Sequence, residues 1–483
     1  MNTNLWWIRR DLRLIDNQAI QAARAGGEAI VPVFILDPAL LSSAYTGENR
    51  VAFLMAGLRE LDKALRDRGS YLVVRQGQAL EQLGALMEET SATAIYAEED
   101  VSPYARRRDA SVSQHLPLNL VGGVAVHHPD LIYKADGLPY TVYTPFSRRW
   151  KELPAPEPGS LLPAPKRMPT PPDIDSLPIP DRLQLSKAIP FLPGEQEAQR
   201  RLNAFLSADG EASITRYAGQ RDRMDLNGTS GLSPYLRFGM LSARQAVVSA
   251  LQKRSTVLDE KGQRGVEVWF SELIWREFYM SILYHFPQVL RQSFRTAYHH
   301  IAWRNNEDHF AAWCDGQTGY PVVDAAMRQL AQSGWMHNRA RMIAASFLVK
   351  DLLIDWRWGE RWFMQHLVDG DPAANNGGWQ WTAGTGTDAV PYFRIFNPVL
   401  QGKKFDPQGD YTRRWIPELA NVPGKYLQEP WKMPRDVQDK AGCVIGRDYP
   451  HPIVDHALAR HSALAAYASA RDRAINGGRE NDE

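Results

Sequence analysis

Five short apolar runs, at 5–8 (LWWI), 30–36 (IVPVFIL), 71–74 (YLVV), 94–97 (AIYA) and 124–126 (VAV), constrain this chain more than any other feature. Each has the length of a strand and lacks the polar alternation of a sheet with one wet face. Each therefore reads as a strand buried on both sides. Between them, 50–68 and 80–89 carry the periodicity of amphipathic helices. Strands alternating with helices in this way predict a doubly wound parallel sheet. The first run leads into Arg9-Arg10-Asp11-Leu12-Arg13, not into G-x-G-x-x-G. The later Gly384-Thr385-Gly386 is a fragment of that pattern and follows no strand, so no dinucleotide fingerprint is present. A ligand of this sheet is expected at the carboxyl ends of the strands, near 34–37 and 98–100.

From 151 to 194 the character changes: 12 of the 32 prolines fall here. So much proline supports neither helix nor central strand, so this is a connector, expected to lie ordered on the surface. Beyond it the strand patterns stop. Amphipathic segments at 196–205, 243–252, 266–286, 321–334, 339–353 and 359–367 predict an all-α half, and the last ~20 residues return to helix. The expected organisation is an α/β domain over 1–130, a proline-rich connector over 131–195, an all-helical domain over 196–475 and a polar tail, 476–483, that frays. No internal repeat is visible.

Composition removes several classes. The net charge is only +1, so any nucleic-acid surface must be a local patch. Two cysteines, Cys314 and Cys443, support neither a disulfide framework nor a zinc cluster. The chain shows no signal-peptide pattern and no apolar run long enough to span a bilayer, which predicts a cytoplasmic protein with no membrane partner.

Polar groups and large aromatics crowd together at 369–398, DGDPAANNGGWQWTAGTGTDAVPYFRIFNP. Asp369, Asp371, Asn375 and Asn376 offer donors and acceptors. Gly377 and Gly378 let the backbone come close to something flat. Trp379 and Trp381 point the same way if this stretch is extended, and about 200° apart if it is helical. Any one of these residues is most simply part of a capping loop. Their density points to a planar ligand with polar edges. Thr229-Ser230-Gly231-Leu232-Ser233 is a hydroxyl-rich turn leading to a helix, which suits either a simple N-cap or a phosphate or pyrophosphate. In SELIWREFY (271–279), Glu272, Trp275 and Arg276 share one helix face in an otherwise apolar segment. The bland account is a surface Glu–Arg pair. A buried carboxylate would instead need a polar cavity. In GWMHNRARM (334–342), Asn338 and Met342 fall at i and i+4, a spacing at which a lone Met is more often core filling.

SELIWREFY, TSGLS, WMHNRARMIAAS, DGDPAANNGGWQW and GTDAVPYFRIFNP, in this order behind an α/β domain that opens WWIRRDLRLIDNQAI, resemble the DNA photolyase/cryptochrome family over essentially the whole chain. Within it the chain is most like class I cyclobutane pyrimidine dimer (CPD) photolyases. That resemblance implies FAD, active in its reduced form FADH⁻, in the helical domain. Its ligands would be Tyr217, Thr229, Ser230, Gly231, Leu232, Ser233, Glu272, Arg276, Asn338, Arg341, Asp369, Gly370, Asp371 and Asn375. The pyrophosphate would lie on the 229–233 turn and the ribose and flavin edge against Asp369 and Asp371. Asn375 would sit beside flavin N5, where photolyases carry Asn and many cryptochromes Asp or Cys. An amide there pairs with N5 whether or not it is protonated.

The same resemblance implies the lesion. Enzymes for the (6–4) photoproduct carry His at the positions of Asn338 and Met342, and DASH-type members typically carry Gln at the latter. The implied activity is a CPD-specific carbon–carbon lyase driven by light. Trp275 and Trp381 would pack on the flipped dimer, Glu272 and Asn338 would hydrogen-bond its base edges, and Met342 and Asn375 would complete the catalytic set. Arg221, Arg339, Arg394 and Gln401 match positions near the DNA strand. Trp379, Trp356 and Trp303 match the family's electron-hopping chain to the surface. The N-terminal domain would hold a second, antenna chromophore. Phe34, Asp37, Arg50 and Asp100 look more like the 8-hydroxy-deazaflavin members than those using methenyltetrahydrofolate or FMN. The implied partner is UV-damaged DNA containing pyrimidine dimers, and the protein would act as a monomer. Two rivals share features with this reading. A cryptochrome-type blue-light receptor has the same fold and FAD, but is disfavoured by Asn375, by the Glu272/Trp275/Asn338/Met342/Trp381 set and by the lack of a long C-terminal signalling extension. A flavin oxidoreductase would need a nicotinamide or substrate-acid site, which no fingerprint supplies.

Overall fold

The computed structural model describes residues 2–181, 186, 188–207 and 210–479. They form two compact units, one of Met1–Ala218, Thr229–Pro287 and Val368–Ala373, the other of Gly219–Gly228, Gln288–Leu367 and Ala374–Glu483.

The first unit is built on β1 (Thr3–Ile8), β2 (Ala29–Leu36), β3 (Val73–Gln76), β4 (Ala92–Glu98) and β5 (Leu118–Val121), all parallel, in the order β3-β2-β1-β4-β5. β1 and β2 are buried along their whole length, as unbroken apolar runs require. Leu5 lies between Val31 and Ile95. Pro32 is tolerated in β2 because β3 begins only opposite Val33, so the missing N–H faces a side that the ladder has not reached. The proline-rich connector covers that side. Ile30 N donates to Pro169 O at 3.0 Å, Leu177 N to Val74 O at 2.9 Å and Tyr71 Oη to Pro171 O at 2.6 Å. It is ordered by the sheet edge that it protects.

Two expectations differ from the structure. The run at 124–126 is not a strand. Gly122 (φ +58°) and Gly123 (φ +157°) end β5 at Val121, and the apolar residues that follow form a loop lying on helix Glu260–His285. Helices Gln18–Ala25 and Pro103–Ser113 were also not foreseen. The first is short, and the second carries three consecutive arginines and a first-turn Pro where an apolar stripe was sought.

The opening signature RRDLRLIDN is a buried polar network. Asp11 accepts from Trp6 Nε1 at 2.9 Å, Arg9 N at 2.8 Å and Asn17 Nδ2 at 3.1 Å. Arg13 donates to Glu98 Oε1 at 2.5 Å, to Asp16 O at 2.8 Å and to Gly239 O at 3.2 Å. Asp16 accepts from Ser242 Oγ at 2.6 Å, and Asn17 caps helix Gln18–Ala25. Gly239 (φ +64°) is required where it stands: a Cβ there would lie 1.8 Å from Arg10 O. These bonds join the strand ends to helices Ser233–Phe238 and Ala243–Thr256, which belong to the same unit.

Among the described residues of the second unit the regular elements are all helices, apart from an isolated bridge between Ile445 and Tyr449. Helices Pro321–Ser333, Asn338–Ser346, Trp356–His366 and Pro398–Phe405 surround a core rich in Trp313, Trp356, Phe347, Phe363 and Trp379, and helix His456–Arg479 adds a smaller cluster through Tyr467 and Ala470. The helix expected over 339–353 ends early, in a single π-turn at Phe347–Asp351. The last helix continues through 476–479 of the expected polar tail, and 480–483 lie outside the described residues. No helix among the described residues is long and apolar enough to cross a membrane.

Candidate functional site

The stretch at 369–398 opens as a tight loop and then becomes helix Pro372–Ala383, so Trp379 and Trp381 face different ways, Trp379 buried and Trp381 half-buried. In the first unit the loop is held by charge. Asp369 accepts from Ser233 Oγ at 2.6 Å. Asp371 pairs with Arg10 at 2.6 Å, lies 3.9 Å from Arg237 and accepts from Ala373 N at 2.9 Å. Gly370 O accepts from Arg237 Nε at 2.8 Å. Ser233 opens helix Ser233–Phe238, and the preceding turn bends at Gly231 (φ +60°). Thr229 and Ser230 are half-buried, Leu232 is buried and Ser233 is exposed. Hydroxyls, a left-handed glycine and a helix start in five residues fit a pyrophosphate.

Helix Glu260–His285 brings the next group. Arg276 is held by two carbonyls, Val124 O at 2.8 Å and Leu236 O at 3.3 Å, and burial together with the cation of Arg10 pushes its pKa down. Glu272 is half-buried, and the fully buried carboxylate of this helix is Glu277. It accepts from Val126 N at 2.6 Å, His127 N at 3.3 Å and Trp150 Nε1 at 2.7 Å, while burial raises its pKa. The polar partners expected for a buried acid here therefore serve Glu277 and the loop at 124–127. Trp275 stacks face to face on Tyr143, with centroids 3.7 Å apart, which locks its ring plane. Tyr217, half-buried, packs edge-on against Phe205 at 5.9 Å.

In the second unit Asn338 is exposed in the first turn of helix Asn338–Ser346, and its Nδ2 lies 3.8 Å from the sulfur of half-buried Met342. Met342 is thus not core filling. Arg339 pairs with Asp222 at 2.7 Å and lies over Phe405 at 4.4 Å. Arg341 donates to Met336 O at 2.8 Å. Asn375 Nδ2 donates to Glu360 O at 3.0 Å and to Glu360 Oε1 at 2.9 Å, which fixes the amide. Arg394 is exposed, while Arg221 and Gln401 are partly buried. Trp379 touches Phe363 at 4.9 Å and Trp313 at 6.1 Å. Trp356 is buried in the same core, and Trp303 lies half-buried at its margin against Tyr467.

Sequence reasoning missed Arg10 and Arg237, which hold the 369–371 loop. Arg10 stood in the opening signature, but nothing in its neighbourhood along the chain signals a partner 361 residues away. It also missed the role of His337. Its Nδ1 accepts from Arg339 N at 3.1 Å and caps the helix of Asn338 and Met342, and burial pushes the imidazole down to about 4. A depressed histidine contributes stability that is present above the ordinary value of 6.5 and is lost as pH falls through about 4. His337→Asn keeps a capping acceptor without a titrating ring. The difference in unfolding midpoint between parent and variant is therefore expected to be small at pH 7 and to swing in favour of the variant below pH 5. A difference that stays constant with pH would remove His337 from this role.

At the carboxyl edge of the sheet, Phe34 lies near the end of β2, Asp37 follows β2, and Asp100 follows β4. Asp37 caps helix Pro38–Leu41 and accepts from Tyr104 Oη, and Asp100 lies 3.5 Å from Arg10. Arg50, half-buried, donates to Tyr45 O.

Known proteins match the chain over both its halves. The family model described as DNA photolyase matches 4–166, and that described as FAD binding domain of DNA photolyase matches 269–469. A deoxyribodipyrimidine photo-lyase of Synechococcus sp. is 42% identical over 96% of both chains. A bacterial class III photolyase from Agrobacterium tumefaciens superposes with a TM-score of 0.91 at 38% identity, covering 98% of each chain. A cryptochrome of Synechocystis sp. superposes at 0.86 with 29% identity, over 96% of this chain and 99% of that one.

Proposed function

The chain belongs to the DNA photolyase family, and on that premise we propose how its residues divide the light-driven repair of cyclobutane pyrimidine dimers. The enzyme is a CPD lyase that uses FAD. The reduced cofactor supplies, on absorbing light, the electron that opens the cyclobutane ring. Thr229, Ser230, Gly231, Leu232 and Ser233 take its pyrophosphate, with Tyr217 and Arg276 nearby, and Arg341 is a further ligand of the cofactor. Asp369, Gly370 and Asp371 take the ribose and flavin edge, and Asn375, clamped by Glu360, presents its amide to N5.

The observation that carries the lesion assignment is Asn338, exposed at a helix start with Met342 beside it. An amide that can donate and accept reads the edges of an intact dimer, and the thioether gives apolar contact. Glu272 hydrogen-bonds the base edge and steadies charge developing on the dimer, while Trp275, fixed by Tyr143, and Trp381 cover its apolar body. Photolyases are themselves a type case of base flipping, so that step comes with the family. Arg221, Arg339, Arg394 and Gln401 position the strand, three cations on a protein of net charge +1. Trp379, Trp356 and Trp303 carry electrons inward when the flavin is oxidised. The sheet edge at Phe34, Asp37, Arg50 and Asp100 takes an 8-hydroxy-deazaflavin. The antenna-binding domain over 1–130, the connector over 131–195 and the catalytic domain over 196–475 complete the reading, for a cytoplasmic monomer. An absorption spectrum before and after denaturation identifies the antenna.

The test is repair of defined lesions. Blue or near-UV light is expected to restore paired bases in DNA carrying CPDs and to leave (6–4) photoproducts in place. Loss of (6–4) lesions with CPDs untouched would overturn the assignment of Asn338 and Met342. Binding of FAD with neither lesion cleared would favour a light receptor of the same fold.

A further inference from the structure

We propose that Arg10 is a positioning residue for the flavin: it fixes Asp371 and neutralises its charge, and so sets how readily the bound flavin is reduced. The inference rests on the reading that Asp371 faces the flavin edge. Arg10 follows β1, at the carboxyl edge where strand order reverses between β1 and β4. In doubly wound sheets that crevice usually receives a ligand. Here the side chain of Arg10 enters it and makes three connections. Nη2 reaches Asp371 Oδ2 at 2.6 Å, Nη1 lies 3.5 Å from Asp100 Oδ1, and Nε donates to Arg237 O at 3.1 Å.

The neighbouring Arg9 has a different assignment. It pairs with Asp109, donates to Glu98 O and lies over Trp7. Two adjacent arginines on one strand end therefore separate a structural pair from one aimed at the loop. The pairing with Asp371 is largely buried on both sides, where a charge acts on its neighbours with little screening. An uncompensated Asp371 carboxylate would oppose the negative charge that a flavin gains on reduction. A paired one does so far less. Two further guanidinium groups crowd the same place, and burial with the cation of Arg10 pushes Arg237 down to about 9. Arg10 lies nearer to Asp371 than Arg237 does, at 2.6 Å against 3.9 Å.

The experiment is a spectroelectrochemical titration of the purified holoenzyme, together with the affinity of the apo-protein for oxidised FAD. Arg10→Gln is expected to weaken binding of reduced relative to oxidised flavin about tenfold, a fall in midpoint potential of about 30 mV for the two-electron couple. Asp371→Asn is expected to raise the potential, because it removes the opposing charge. Arg10→Lys should return it most of the way to the parent value. Arg9→Gln serves as the control for loss of a buried arginine at the same strand end, with a lower unfolding midpoint and an unchanged potential. An Arg10→Gln potential equal to that of the parent, while Asp371→Asn shifts it, overturns the role of Arg10 and leaves the placement of Asp371 standing. If Asp371→Asn changes neither the potential nor the FAD affinity, Asp371 does not face the flavin and both fall. A shift in Arg9→Gln as large as in Arg10→Gln would reduce the effect to general loosening and also overturns the proposal.

Discussion

Replacing Trp379 by Phe is expected to bring light-driven reduction of oxidised flavin by an external thiol down to background, while chemically reduced enzyme still repairs CPDs. Phenylalanine keeps an aromatic ring in the core but is far harder to oxidise than indole, so it interrupts electron hopping without emptying the site. The structure makes this a clean substitution. Trp379 is buried between Phe363 and Trp313, and a Cβ on Gly359 would lie 2.1 Å from its ring, so the indole has one place to be. The smaller ring leaves a void and lowers stability by about 1–3 kcal/mol, which holoenzyme purification tolerates. Both assays are needed. Photoreduction at the parent rate would dismiss Trp379 from the hopping chain, and loss of repair in the prereduced variant would mean that the substitution had damaged the flavin site instead.

The second large effect concerns the opening signature. Arg13→Met is expected to cost about 3–5 kcal/mol, because it strands Glu98, a carboxylate buried with its partner at the end of β4. Burial already pushes Glu98 up to about 7 against the pull of Arg13, and Asp11 adds to the rise. A carboxyl raised in this way favours the folded state most when protonated. Its contribution is whole below the ordinary value of 4.5 and is lost as pH rises through about 7. Without Arg13 the loss on ionisation is larger still, so the deficit of the variant should grow from pH 6 to pH 8. Urea unfolding followed by circular dichroism at both pH values reads this out. Arg13→Met combined with Glu98→Leu should recover most of the loss, since two apolar groups replace a buried pair. A single variant that unfolds with the parent at pH 8 would show that this network is not what joins the strand ends to the helices behind them.

Periodicity along the chain located most of the strands and most of the longer helices, because strand and helix periods are local properties that burial on one or two faces imposes. It failed where local signals mislead. Val124 and Val126 are apolar because a helix packs on them, not because they lie in the sheet. Helix Pro103–Ser113 hides behind arginines whose partners, among them the ring of Trp7 and the carbonyl of Tyr284, are tertiary. The hydroxyl turn at 229–233 and the aspartates at 369 and 371 stood out by the density of polar groups around them, whereas Asn338 and Met342 were singled out only by the family resemblance. What no local pattern could supply is the choice among acids and cations. Glu272 and Glu277 lie five residues apart on one helix, yet only the second meets Val126 N, His127 N and Trp150 Nε1. Arg9 and Arg10 are adjacent, yet the first pairs with Asp109 and the second with Asp371. The sequence by itself determined which residue types the chain has for binding a flavin and a dimer. Only the tertiary structure decided which charges compensate one another, because electrostatic partnership depends on distance and burial, and neither is a function of separation along the chain.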